Sequence, residues 1–153
     1  MQVIEQYEII SNPNQFQILK NENRLAQVQI HVSDEGLQHV EIQVQDQQYL
    51  KSDFDLGMTI VPGLSRHVYL YDQQIASFTY IRMNLYECKT WYESTYMFEC
   101  DANRILVYKK EEHVLVAQME KDIHNNHIYV NFEENCYEPM KLVIALFPCL
   151  RFN

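Results

Sequence analysis

The most closely spaced imidazoles in the chain belong to His124-Asn125-Asn126-His127, a stretch whose residue types raise the question of a metal. Asn-Asn ahead of an alternating segment is ordinary turn composition, and no third ligand stands at a telling spacing, so no metal is expected there. His31, His39, His67 and His113 fall in or beside segments of strand character, where exposed polar positions are common. The four cysteines, Cys88, Cys100, Cys136 and Cys149, form no CxxC pair. The chain is long enough to build a core without crosslinks, so buried reduced thiols are expected in place of a disulfide scaffold or a zinc site. No GxSxG, no phosphate-cradling glycine loop and no HExxH occurs. The 21 acidic residues offer pairs by accident alone. The expectation is a protein that is not an enzyme and needs neither metal nor cofactor.

Charge narrows the partners. The formal net charge of -9 makes the average surface repel nucleic acid and anionic headgroups. The basic residues are scattered, and the adjacent pair Lys109-Lys110 runs straight into Glu111-Glu112, the pattern of a solvated hairpin tip. Nucleic acid is therefore not an expected partner. The best candidate contact surface is the aromatic stretch holding Lys89, Trp91, Tyr92 and Tyr96, since Trp and Tyr are enriched where proteins meet partners or graze membranes. The alternative is that these rings pack the wall of the fold.

The elements that would position such residues are strands. At 153 residues, 47% hydrophobic and 22% charged, the chain fits one domain, rich in tyrosine and poor in glycine. In LAQVQIHV, Ala26, Val28, Ile30 and Val32 oppose Gln27, Gln29 and His31. In HVEIQVQ, Val40, Ile42 and Val44 oppose Glu41, Gln43 and Gln45, and HIYVNF sets Ile128, Val130 and Phe132 on one side. Period-two alternation of this kind marks strands with one buried face. Further short runs from Phe16, Val68, Ile75, Met97, Ile105 and Val114 raise the total to about ten strands or more.

Three stretches share a layout of strand, short polar turn and return strand: Phe16 to Ile30, Val68 to Ile81, and Ile105 to Met119. Each return strand carries an alanine, Ala26, Ala76 or Ala117, on the same face as larger apolar residues. Small beside large on an inward face is how a barrel makes room for something inside it. The turns lack Asn-Gly and Asp-Gly, so loops longer than two residues are expected. Asp53 to Arg66, with two of the three glycines, reads as an irregular crossing between halves. Asn84 to Tyr96 reads as either a strand pair or a short helix.

Leu142 to Phe147 has no polar side chain. The run to Leu150 is roughly half the twenty or so residues a membrane-spanning helix needs, so no transmembrane segment is expected. MQVIEQYEII has neither the basic nor the apolar region of a signal peptide, and cytoplasmic residence is the expectation. A buried strand is one reading of the tail. The preferred one is a helix, with Pro139 at its first position and Pro148 at its exit. Six side chains spaced by about 100° cover every direction around the axis, so such a helix must be enclosed on all sides. A closed barrel of more than about eight strands has that space.

Strand-turn-strand units followed by a hydrophobic C-terminal helix resemble the tubby C-terminal-like superfamily, which includes tubby proteins, phospholipid scramblases, LURP-one-related proteins and small bacterial relatives. The stretch RILVYKKEEHVLVAQMEKDIHNNHIYVNFEENCYEPMKLVIALF carries the resemblance best. The resemblance implies a closed antiparallel barrel of about twelve strands around the helix, and a non-catalytic binding or scaffold module meeting a protein partner or a phospholipid surface. The basic cluster that binds phosphoinositides in tubby domains has no counterpart here. Asp46, Asp53 and Asp55 are the nearest residues to the acidic calcium segment linked to scramblases, and Asp-Phe-Asp falls far short of a calcium loop. A lipid-carrying barrel of the calycin kind is the alternative, and it requires a vacant lumen.

Overall fold

The computed structural model describes residues 2–12, 15–35, 37–55, 65–91 and 94–151, with the backbone alone at 37, 53–55 and 151. Twelve strands succeed one another: β1 (Glu5–Asn12), β2 (Gln15–Lys20), β3 (Asn23–Val32), β4 (Leu37–Val44), β5 (Gln47–Asp55), β6 (Ser65–Leu70), β7 (Gln73–Arg82), β8 (Leu85–Thr90), β9 (Tyr96–Cys100), β10 (Arg104–Lys109), β11 (Leu115–Asp122) and β12 (His127–Phe132). Helix α1 (Glu138–Arg151) follows. Each strand pairs antiparallel with its chain neighbour, and β1 closes the circle on β12, from Glu5↔Phe132 to Ile10↔His127. Closure removes the unpaired edges that an open sheet of this length would expose.

The alternation read from the sequence sets the two faces of the wall. Val28, Ile30, Val40, Ile42, Val130 and Phe132 are each buried to within 3%. Val32 departs from the pattern: at the strand's end it is 54% exposed.

The three alanines are fully enclosed, and each follows a bulge. Pairing passes from Ile18↔Ala26 to Leu19↔Arg24, from Val68↔Ala76 to Tyr69↔Gln74, and from Val107↔Ala117 to Tyr108↔Leu115, leaving Leu25, Ile75 and Val116 as the extra residues. A fourth hairpin does the same with Leu50 in the alanine's place and Tyr49 as the extra residue. Bulges of this kind bend a strand and increase its twist, which a small closed barrel requires.

The turns overturn one expectation. Of the three repeated units, β2–β3 and β6–β7 are joined by two residues each, as β4–β5 is too, whereas β10–β11 has the longer loop expected. Asn21, Glu22, Gln45 and Asp46 take φ of 52°, 68°, 53° and 61°. Left-handed backbone at both turn positions matches the twist of the flanking strands. That match outweighs the cost of about 1 kcal/mol or more for a non-glycine residue there.

Two other segments also resolve. Asn84 to Tyr96 supplies β8 and the start of β9, so it is a strand pair and not a helix. β5 runs to Asp55 and β6 begins at Ser65, and the two strands pair directly through Leu50↔Leu70 and Lys51↔Tyr69. The segment between them thus joins neighbouring strands and does not cross between halves; residues 56–64 lie outside those described.

Helix α1 occupies the lumen. Leu142 to Phe147 are all 6% exposed or less, and Met140 and Cys149 are buried as well. The Phe147 ring meets Phe98, Tyr86 and Phe78 of three wall strands, with centroids 4.5, 5.0 and 5.4 Å away. The Tyr137 carbonyl accepts from the N–H groups of Met140 and Lys141, so Pro139 stands second in the helix, still among the positions where its missing N–H is harmless. Pro148 does not mark the exit: the helix continues to Arg151. Its ring removes only one intrahelical bond, three residues from the helix end.

Candidate functional site

The connection from β8 to β9 was the surface favoured by residue type, and the structure separates its members. Lys89 lies on the outer face, its side chain 66% exposed and its Nζ 3.9 Å from Glu87 Oε1. Trp91 is 55% exposed just past β8, where its backbone N–H donates to the Ile75 carbonyl at 3.1 Å. Tyr92 lies outside the described residues. Tyr96 is a correction, because it is 1% exposed and belongs to the core. It stands two residues before Phe98 on β9, so the strand pleat turns both rings inward.

Glu87 anchors this outer patch. It is 8% exposed and accepts from Lys110 Nζ at 2.7 Å, which raises the Lys110 ammonium above the ordinary lysine value. Lys109 turns to Glu134 at 3.1 Å, and its hydrogen bond raises that lysine too. The double-lysine tip is therefore tied to the wall, and its charges are partly neutralised.

The His-Asn-Asn-His segment is a turn organised by Asp122. The backbone N–H of His124 donates to Asp122 Oδ1 at 3.0 Å and Asn125 Nδ2 donates to Oδ2 at 2.8 Å, which holds the carboxyl below its ordinary value. His127 Nδ1 lies 2.6 Å from Glu8 Oε1 across the β1–β12 seam. Asp46 sits in an exposed turn 3.2 Å from Arg24, whereas Asp53 and Asp55 lie in β5. Among the described residues no three histidine, cysteine or acidic side chains converge as a metal site. None of the four cysteines is joined in a disulfide and all are buried, and burial pushes the Cys88 and Cys149 thiols up, away from nucleophilic character.

One cluster escaped residue-by-residue reading. At the opening where α1 enters, Lys141 is 4% exposed and reaches Glu5 and Glu138 at 3.1 Å each. Glu5 also holds Lys20 at 2.8 Å. Burial, then the nearby Glu5 and Glu138 charges, push the Tyr7 hydroxyl up. A lone lysine ahead of an apolar run hints at such an anchor. Its main partner lies 136 positions away (141 − 5), and no local signal points to it. A groove of about 260 Å³ also opens between Arg24–Gln27 and Gln43–Asp46, spanned by the Arg24–Asp46 pair. No nucleophile and base meet there.

No protein-family model matches the chain, and no curated protein matches it by sequence. Among solved structures, an X-ray structure of an Arabidopsis thaliana protein is similar in fold, with a TM-score of 0.66 and 12% identity. The likeness spans 96% of this chain and 91% of the other. Among the described residues no helix is long and apolar enough to cross a membrane.

Proposed function

We propose that the chain is a non-catalytic binding or scaffold module of the tubby-like kind, acting through the outside of its barrel. The observation that carries this reading is the buried helix: six consecutive side chains, Leu142 to Phe147, fill the lumen that a substrate or a carried lipid would need. The shared barrel of the Arabidopsis protein and the strand-unit pattern of the sequence support the family side of the proposal. Four buried cysteines outside any disulfide support cytoplasmic residence, where thiols stay reduced.

The outer face supplies the contact, and Trp91 with Lys89 is its exposed aromatic and basic corner. The partner is a protein or a phospholipid surface met peripherally, without nucleic acid, which the acidic surface repels. The test is flotation with neutral and anionic vesicles at varied salt, beside a pull-down with the intact chain as bait. Capture in either, weakened by Trp91→Ala, supports the reading, and silence in both removes it. Native mass spectrometry that finds a lipid retained inside the folded protein would favour the carrier alternative.

A further inference from the structure

The even-numbered strands all run toward the end of the barrel where α1 enters, so the β4–β5 and β6–β7 turns stand at that end with Tyr137. Tyr49 is the extra residue of the β5 bulge, and Tyr71 opens the β6–β7 turn. The Tyr71 N–H donates to the Tyr49 carbonyl at 3.2 Å. Their rings meet edge to face, with centroids 6.0 Å apart and planes at 78°. Burial, then the neighbouring Tyr137 and Tyr71 hydroxyls and the Glu138 carboxylate, push the Tyr49 hydroxyl up. A third ring and a carboxylate therefore stand within electrostatic reach of the first pair.

The fold itself has little use for these rings. Tyr71 is 63% exposed and Tyr137 47%. Tyr71 also takes φ of 55°, the left-handed region in which a bulky side chain is costly. It gains neither burial nor backbone ease there, and strained positions of this kind gather at binding surfaces. Two acids flank the rings: the Asp72 side chain is fully exposed and that of Glu138 is 72% exposed. Each holds a lysine of the chain, Lys51 at 3.4 Å and Lys141 at 3.1 Å, and each stays open to a second cation. Lys51 Nζ also lies 6.0 Å from the centroid of the Tyr69 ring. A cation shared between a tyrosine face and a carboxylate is thus already present beside the turn.

We propose that Tyr49, Tyr71 and Tyr137, with Asp72 and Glu138, dock an arginine-rich segment of a partner protein. A guanidinium stacks on aromatic faces and forks to carboxylates, and it is more weakly hydrated than an ammonium, so it gives up less water on docking. The net charge of -9 draws a basic chain toward the barrel and repels a second copy. The proposal rests on the reading of the chain as a binding module and gives that module's partner its chemistry.

The experiment is fluorescence anisotropy of the full-length chain with a labelled octapeptide of alternating Arg and Gly, beside octapeptides with Lys or Glu in place of Arg. The Arg peptide should bind at least about threefold more tightly than the Lys peptide, and the Glu peptide not at all. Tyr71→Leu keeps apolar bulk without the ring's charge distribution and should weaken binding about two- to fivefold, whereas Tyr71→Phe should bind as the parent does. Tyr71→Leu with Tyr137→Leu should cost at least about tenfold. Asp72→Asn should weaken binding about two- to fivefold, and Glu35→Gln, an equal charge change in the exposed β3–β4 turn at the opposite end, less than about twofold. Melting curves equal to the parent's show that the variants fold. Equal losses in Asp72→Asn and Glu35→Gln, unaltered binding in the double leucine variant, or no binding of the Arg peptide at about 100 μM overturns the proposal. An octaproline peptide that binds as tightly, or phosphatidylcholine vesicles captured in a manner that Tyr71→Leu abolishes, would give the rings to another occupant and overturn it too. Failure of the peptide beside capture in the pull-down removes this partner and leaves the binding-module reading standing.

Discussion

The first turn of α1 and the turns after it meet the barrel in different ways. Lys141 is held by two carboxylates, Glu5 from the wall and Glu138 from its own helix, each at 3.1 Å. From Leu142 onward the contact is apolar packing, with Phe147 seated among three aromatic rings. Apolar burial is strong but without direction, and it would accept many depths and rotations of the helix. A buried ammonium accepts only the seating that restores its carboxylates, because leaving them costs several kcal/mol. The apolar turns draw the helix into the lumen, and the ionic turn chooses where it stops.

The largest test of this division removes the helix. Truncation after Tyr137 forfeits the burial of six apolar side chains, on the order of 10 kcal/mol as an upper bound and comparable with the whole stability of a domain. The expected product is insoluble or melts without cooperativity; a soluble truncate with a sharp thermal transition would remove the helix from its central role. Next comes Phe147→Ala, which leaves a cavity among Phe78, Tyr86 and Phe98 and should cost about 3–5 kcal/mol in urea unfolding. A loss under about 1 kcal/mol would mean that the aromatic seat is not where the helix gains its burial.

The smallest effect belongs to the ionic turn, and it sharpens the comparison through pH. Glu5→Gln should cost about 2 kcal/mol near neutrality, between an exposed pair worth at most about 1 and a fully buried pair broken at about 3–5. Burial pushes the Glu5 carboxyl up, but the hydrogen bonds and charges of Lys20 and Lys141 outweigh it, so the folded value lies below the ordinary 4.5. A depressed folded value means that the stabilisation is complete above 4.5 and fades as pH falls through the folded value. The gap between parent and Glu5→Gln should therefore stay constant from neutrality down to about 4.5 and close below it. A gap that persists unchanged into strong acid would assign the loss to packing and not to charge.

Much of the wall could be read from residue order, because a period of two is a local property. The segments around Val28, Val40 and Val130 announced their buried faces without any partner. Other elements were harder. β5 repeats the bulged hairpin of the alanine units but carries Leu50 where they carry alanine, so the shared signature is absent from it. The two-residue turns of the repeated units are not legible in residue type, because Asn21-Glu22 and Tyr71 take left-handed backbone without the glycine that usually signals it. Whether Tyr96 faces a partner or the core is not legible in order alone, since an aromatic residue in a loop-rich stretch looks the same locally whether it faces inward or outward.

The chain's own order of residues determined that it makes strands, and that a helix over its apolar tail, the preferred reading, must be enclosed. Those follow from side-chain periodicity and from an apolar run with no wet face. Only the tertiary structure decided that Lys141 meets Glu5 and that the Tyr49 ring meets that of Tyr71. Register is a property of strand pairs. It is set by bulges, turns and the closure of β1 on β12, and none of these is contained in any one segment.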